Sequence, residues 1–312
     1  MAKKPNLAKA ISIGKALAAQ TLKRRSRALQ KRRKALEAKG IKVAPAKKGA
    51  AGKQALAKAP VTHASAGVLI AEGDSWFDYP FYDVLSELED GFGFDIESVA
   101  HRGDTIEDMA YTGGQLDEFS RLVEKVLRTG VRPRAILLSG GGNDVAGDEF
   151  AILLNHAASS IAGLNDSVVT GVIDERARDA YATILSAITA ICTNHLGQPL
   201  PIVVHGYDYP VPDGRGYLGG FGPLPGPWLD PGFRRKGYAQ MTQRKQICVA
   251  LIDRFNAMLK SLAGKPPFAH VKFLDLRNTL AAGATYKNDW ENELHPTERG
   301  YQKVAAKFAG AV

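Results

Sequence analysis

Val68-Leu69-Ile70-Ala71-Glu72-Gly73-Asp74-Ser75-Trp76 is the stretch on which the fold turns. Four successive apolar residues read as a short buried strand, and the run stops abruptly at Gly73-Asp74-Ser75. Gly-Asp-Ser is ordinary turn chemistry. A serine just beyond a buried strand end is also where open α/β sheets carry reactive groups. Two later stretches answer the first: Ser139-Gly140-Gly141-Gly142-Asn143-Asp144, and Asn292-Glu293-Leu294-His295-Pro296.

Outward from the first strand the chain alternates. A helical stretch around Phe81–Leu88 leads to a second strand near Phe94–Ala100, which ends at His101-Arg102-Gly103. Thr105 is placed to cap short helical material, and a longer helix is expected over 115–128. Arg134–Ser139 reads as a third buried strand running straight into the glycine-rich block. A helix over about 174–195 precedes the strand Pro201–His205. A helix over about 237–263 precedes the strand Val271–Asp275, and a helix follows Thr297. Five strands separated by helices predict a doubly wound parallel sheet, which places all three blocks at or beside the carboxyl ends of strands.

One stretch breaks this rhythm. Gly206–Phe233 has no periodicity and is dominated by glycine, proline and the aromatics Tyr207, Tyr209, Tyr217, Phe221 and Trp228. Long loops inside compact domains are uncommon and are often lids or binding loops. This one follows the fourth strand, so it is expected to overhang the sheet end that carries Ser75.

Serine is a poor nucleophile at neutral pH and needs a base within hydrogen-bond reach. His295 fits, because a helix begins after Pro296 and leaves the imidazole in the preceding loop. Pro296 also restricts the backbone at His295 to extended conformations. Gly-x-Ser-x-Gly, the elbow of the α/β-hydrolases, is absent, since Phe77 stands where its second glycine would be.

In block order and spacing, residues 66 to 312 resemble the SGNH (GDSL-like) hydrolases. The blocks are Gly73-Asp74-Ser75, Gly103 after the second strand, Gly141-Gly142-Asn143-Asp144, and His295 before Pro296. The resemblance implies a three-layer flavodoxin-like fold with strand order 2-1-3-4-5 and a serine esterase cleaving an acyl or O-acetyl ester. It also implies Ser75 as nucleophile, His295 as base, no cofactor, and an oxyanion hole made of the backbone N–H groups of Ser75 and Gly103 and the Asn143 amide. Asn143 suits that role because it donates without carrying charge, and preorganised donors usually supply the largest catalytic effect.

The last block departs from the family pattern, with Asn292 where an aspartate is usual. Asn292 or a backbone carbonyl could accept the ring N–H. Among the nearby carboxylates Asp289, Glu291 and Glu293, Asp289 is preferred as triad acid, and a Ser–His dyad is the other option. Two further readings use the same stretches. In one, Asp74, Asp78, Asp144, His205 and His295 hold metal for phosphoester hydrolysis. In the other, the domain binds a ligand without turnover.

The formal net charge of +9 hides an asymmetry. Residues 1–60 hold 18 Lys and Arg against a single Glu, so the rest of the chain is net acidic. Residues 1–62 are read as a basic Ala/Lys/Arg-rich arm, helical at first and a flexible linker from Gly40, attached to a catalytic unit of 63–312. Such an arm suits non-specific contact with polyanions, nucleic acid or anionic lipid, or serves solubility alone. No aromatic residue precedes Trp76, so base stacking on the arm is excluded. Cys192 and Cys248 both fall in helical stretches as small buried hydrophobes, and nothing demands a disulfide. No run is long and apolar enough for a membrane span, Lys9 and Lys15 interrupt the only candidate leader segment, and a cytoplasmic location is the expectation.

Overall fold

The computed structural model describes residues 7–38, 65–219 and 224–312. Phe221 and the linker segment after Gly40 lie outside the described residues. Five strands form the main sheet: β1 (Gly67–Glu72), β2 (Phe94–Ser98), β3 (Ala135–Leu138), β4 (Ile202–His205) and β5 (Val271–Leu274). All are parallel, in the order β2-β1-β3-β4-β5 expected from the sequence. Leu69 to Ala71 and the whole of β3 are buried. Helices cover both faces of the sheet, which is why its central strands are unbroken apolar runs and not alternating ones. Edge strand β2 exposes Asp95 and Glu97, charges that discourage pairing with another chain. Its neighbour β1 is flanked on the other side by β3, so the direction of winding reverses between them and opens a crevice at their carboxyl ends.

The helices needed here are α1 (Leu7–Ala38), α2 (Val84–Phe92), α3 (Ile106–Tyr111), α4 (Gln115–Arg128), α5 (Arg178–Leu196), α6 (Met241–Leu262) and α7 (Glu298–Ala311). Local chemistry explains where three of them start. Asp83 and Ser86 form a reciprocal capping box on α2, Thr105 accepts the Asp108 N–H on α3, and Thr297 accepts the Gly300 N–H on α7. Three boundaries differ from the sequence expectation. α2 starts at Val84 because Phe81 sits at φ 77°, and α6 starts at Met241 because Gly237 sits at φ 77°, both outside helical geometry. Ahead of α5 the helical path begins at Asp166 and passes through a wide π-helical turn over Thr170–Ala177. The 206–233 loop also contains a short helix, Asp230–Arg235, and residues 154–155 and 163–164 pair as a small antiparallel ribbon.

The basic N-terminal helix α1 lies along α5 and touches α4. Ala10 and Ala18 are buried in that seam. A Cβ at Gly14 would stand 2.2 Å from the Thr183 carbonyl oxygen, so only glycine lets the two backbones come this close. Ser186 Oγ donates to the Ile11 carbonyl at 2.8 Å, and Arg25 Nε meets the buried Glu124 carboxylate at 2.5 Å. Among the described residues no helix is long and apolar enough to cross a membrane.

Candidate active site

The site is built at the β1–β3 crevice. Gly73 ends β1 where only a glycine fits, since a Cβ there would be 2.7 Å from Ser139 Cβ and 2.8 Å from the Phe77 ring. The chain then turns tightly, with the Asp74 carbonyl accepting the Phe77 and Asp78 N–H groups. Asp74 itself is buried and faces inward. Its Oδ1 accepts Ser139 Oγ at 2.8 Å and the Trp76 N–H at 3.1 Å, and its Oδ2 accepts the Tyr207 hydroxyl. Held from beneath in this way, the turn leaves Ser75 half-buried at the top of the sheet.

Ser75 Oγ is 2.7 Å from His295 Nε2. The other ring nitrogen, Nδ1, is 3.0 Å from Asn292 Oδ1. That oxygen also accepts the Leu294 and His295 backbone N–H groups at 3.0 and 2.9 Å, and the Asn292 amide nitrogen donates to the Tyr79 hydroxyl. Two backbone donors therefore fix which Asn292 atom faces the ring. Because Asn292 Oδ1 is an acceptor, Nδ1 carries the ring proton and donates it there, and Nε2 is left bare towards the Ser75 hydroxyl. Tyr79 stacks on the imidazole with centroids 4.3 Å apart, Trp228 meets it edge-on at 5.2 Å, and Trp76 donates its indole N–H to the Leu294 carbonyl. Burial pushes the His295 pKa down to about 3, so the ring is neutral over the ordinary pH range.

The carboxylate preferred from sequence is not brought to this ring. Asp289 is fully buried, but its oxygens accept the Ala281 N–H at 2.7 Å and Lys303 Nζ at 2.5 Å, with Arg299 at 3.5 Å. Burial works against its charge, yet Lys303 and the Ala281 N–H outweigh it and hold the carboxyl below its usual range. Asp289 ties the His295 loop to α7. Glu291 accepts the Tyr82 hydroxyl, and Glu293 turns the opposite way, so Asn292 alone of the four candidates touches the ring.

Glu293 secures the long loop. Its carboxylate accepts the backbone N–H groups of Gly214, Trp228, Leu229 and Asp230 at 2.7–3.0 Å. Arg215 answers from the loop side by donating to the Trp290 and Glu291 carbonyls. Burial pushes this carboxyl's pKa up, and the four backbone N–H groups counter that only in part. The loop thus packs over Ser75 and His295, as its position in the sequence suggested. The role of Glu293 was missed there. Its signal is a lone carboxylate beside a Gly/Pro-rich loop whose N–H groups have no ladder to join.

The Gly141–Asp144 block lies across the crevice. Gly141 sits at φ 93°, and a Cβ there would meet the Phe255 ring at 2.4 Å. Asn143 Nδ2 donates one hydrogen to the Asp104 carbonyl at 2.9 Å, and Asp144 Oδ2 accepts the Ile106 N–H at 2.8 Å. These two bonds join the block to the loop that carries Gly103, whose φ of 89° favours glycine. Ser75, Gly103, Asn143 and His295 line one hollow. The other proposed metal donors are engaged elsewhere: Asp78 accepts the Arg102 N–H, and His205 contacts Ser139 Oγ through Nε2 and the Gly206 carbonyl through Nδ1. Among the described residues no three His, Cys, Asp or Glu side chains are grouped to hold a metal ion.

A parallel five-stranded α/β sheet with a serine and a histidine in contact at its carboxyl edge defines a hydrolase architecture. The chain belongs to the GDSL-like lipase/acylhydrolase family, whose model matches residues 65–303, and it is an ester hydrolase. Solved structures similar to it include a possible lipase from Chitinophaga pinensis, at 12% identity and TM-score 0.45, covering 78% of this chain and 97% of that one. An acetyl xylan esterase from Geobacillus stearothermophilus is similar at 14% identity and TM-score 0.34, over 78% and 93% of the two chains. The C-terminal catalytic domain of peptidoglycan O-acetyltransferase A from Streptococcus pneumoniae is similar at 13% identity and TM-score 0.35, over 80% and 93%. No curated protein matches the chain.

Proposed function

We propose that the protein hydrolyses acyl or O-acetyl esters through an acyl-enzyme on Ser75, with His295 as the base. The observation that carries this reading is the 2.7 Å contact between Ser75 Oγ and a bare His295 Nε2. Nε2 takes the hydroxyl proton as Oγ attacks the ester carbonyl, and the imidazolium then gives that proton to the departing alcohol. Water repeats the sequence on the acyl-enzyme and releases the acid. The Ser75 and Gly103 N–H groups and the second Asn143 amide hydrogen receive the developing oxyanion. Asn292 holds the ring in the working tautomer in place of an acid, contributing orientation without charge. Every proton in this scheme moves between the chain's own side chains, substrate and water.

The catalytic unit in this reading is residues 63–312, and residues 1–60 contact polyanions through their excess of Lys and Arg. In support, no described residue of α1 lines either hollow that contains Ser75. A fluorophosphonate probe should label Ser75, and Ser75→Ala should abolish both labelling and short-chain ester hydrolysis while keeping the fold. Undiminished turnover by Ser75→Ala would overturn the acyl-enzyme.

A further inference from the structure

Two separate hollows meet at the reactive serine, and among the described residues only Ser75, Asn143 and His295 line both. The inner hollow measures about 50 Å³, and its walls are largely apolar, among them Val145, Leu229, Cys248, Leu251 and Phe255. None of its lining residues is exposed. The outer hollow measures about 230 Å³ and is lined by Tyr79, Tyr217, Trp228 and Arg102 among others. Arg102, Gly103 and Pro225 open it to solvent.

An ester presents two halves on either side of one carbonyl carbon, and that carbon must sit at the residues common to both hollows. From this division we infer that the inner hollow takes the acyl group, that it accepts only short chains of about two to four carbons, and that the outer hollow takes a ring-bearing alcohol. The inference rests on the acyl-enzyme reading above. The order of product release assigns the halves. The alcohol leaves first, while the acyl group is still bonded to Ser75, so the alcohol needs an open path and the acyl group does not. The outer hollow, with exposed Arg102, Gly103 and Pro225 on its rim, offers that path. An apolar cavity of about 150 Å³ takes a six-carbon ring such as benzene, so about 50 Å³ takes two or three carbons beyond the carbonyl. In the outer hollow, the rings of Tyr79, Tyr217 and Trp228 favour a flat or pyranose-like alcohol over a bare aliphatic one.

The test is a series of p-nitrophenyl esters from acetate to octanoate, whose chemical reactivity is nearly constant while the acyl length grows. Wild-type kcat/KM should fall at least about tenfold from butyrate to hexanoate, since the excess carbons cannot enter. Leu251→Ala, which removes wall atoms, should raise the hexanoate-to-acetate ratio about tenfold, with fluorophosphonate labelling of Ser75 verifying that the variant is competent. If Leu251→Ala does not fold, the wild-type series decides. A flat chain-length profile in an enzyme that labels normally at Ser75 overturns the pocket assignment and leaves the acyl-enzyme intact. Faster cleavage of methyl octanoate than of aryl acetates would show that the halves are reversed and would equally overturn it. Failure of Ser75 to label sinks the underlying mechanism instead.

Discussion

Replacing Asn292 with aspartate puts a carboxylate where an amide now holds the His295 ring. The exchange is nearly isosteric, and the receiving geometry already exists. The oxygen 3.0 Å from Nδ1 keeps the Leu294 and His295 N–H groups as donors, and the second oxygen faces the Tyr79 hydroxyl, which can turn its proton inward. What changes is charge. Burial alone holds the ring's pKa down at about 3, with no opposing anion to raise it. An opposite charge at this range favours the charged form by about 1–3 pKa units. If roughly half of that is expressed as the ring takes the Ser75 proton, kcat rises about 3- to 30-fold. The pH profile must move as well. The base has to be neutral in the free enzyme, so a higher ring pKa carries the acid limb of kcat/KM to higher pH by the same 1–3 units or so. Kinetics on a soluble short-chain ester from about pH 2.5 to about pH 9, with circular dichroism to verify folding, measure both effects. A folded Asn292→Asp protein that is more than tenfold slower, or faster with no displacement of the acid limb, would refute the view that Asn292 orients the ring without charging it.

Asp289→Asn should act on stability more than on chemistry. It breaks the pairing with Lys303, so Tm should fall by several degrees while kcat/KM stays within about tenfold. A hundredfold loss of kcat at unchanged Tm would return Asp289 to the catalytic group. Glu72→Gln should remove a pH dependence. Folded Glu72 stays protonated up to about 9 because it is buried, whereas its ordinary value is 4.5. Between those values the folded state binds the extra proton, so wild-type stability declines as pH rises through that window. The variant should be more stable at pH 7 by at most roughly 3 kcal/mol and indistinguishable below about pH 4.5, as read by urea melts. Equal melts at both pH values would show that Glu72 ionises normally.

The parallel sheet was legible because its central strands β1, β3 and β4 are buried on both faces and so read as apolar runs, each followed by turn residues. Ser75 and His295 were legible for a related reason: each sits in a short block whose glycine or proline has a backbone duty that sequence displays. The ring's partner was not. Asp289, Glu291, Asn292 and Glu293 lie within five residues, and the direction of each side chain depends on non-local neighbours, Lys303, Tyr82, Tyr79 and the 214–230 backbone respectively. The docking of α1 was hidden for the opposite reason. Its seam uses Ala10, Gly14 and Ala18, small residues whose apolar signal is faint beside the surrounding lysines and arginines.

The buried chain beneath Ser75 has a consequence in hydrogen inventory. Three contacts run in series, from the Gly206 carbonyl to His205 Nδ1, from His205 Nε2 to Ser139 Oγ, and from Ser139 Oγ to the Asp74 carboxylate. Each needs a hydrogen, but a neutral histidine and a serine bring only two. Burial opposes a charged His205 ring, with the nearby Asp74 carboxylate working the other way. With the ring neutral, two hydrogens serve three contacts, so one of the three carries none at any moment. The support beneath the Ser75 turn can therefore pass its hydrogens from one end to the other without moving a heavy atom.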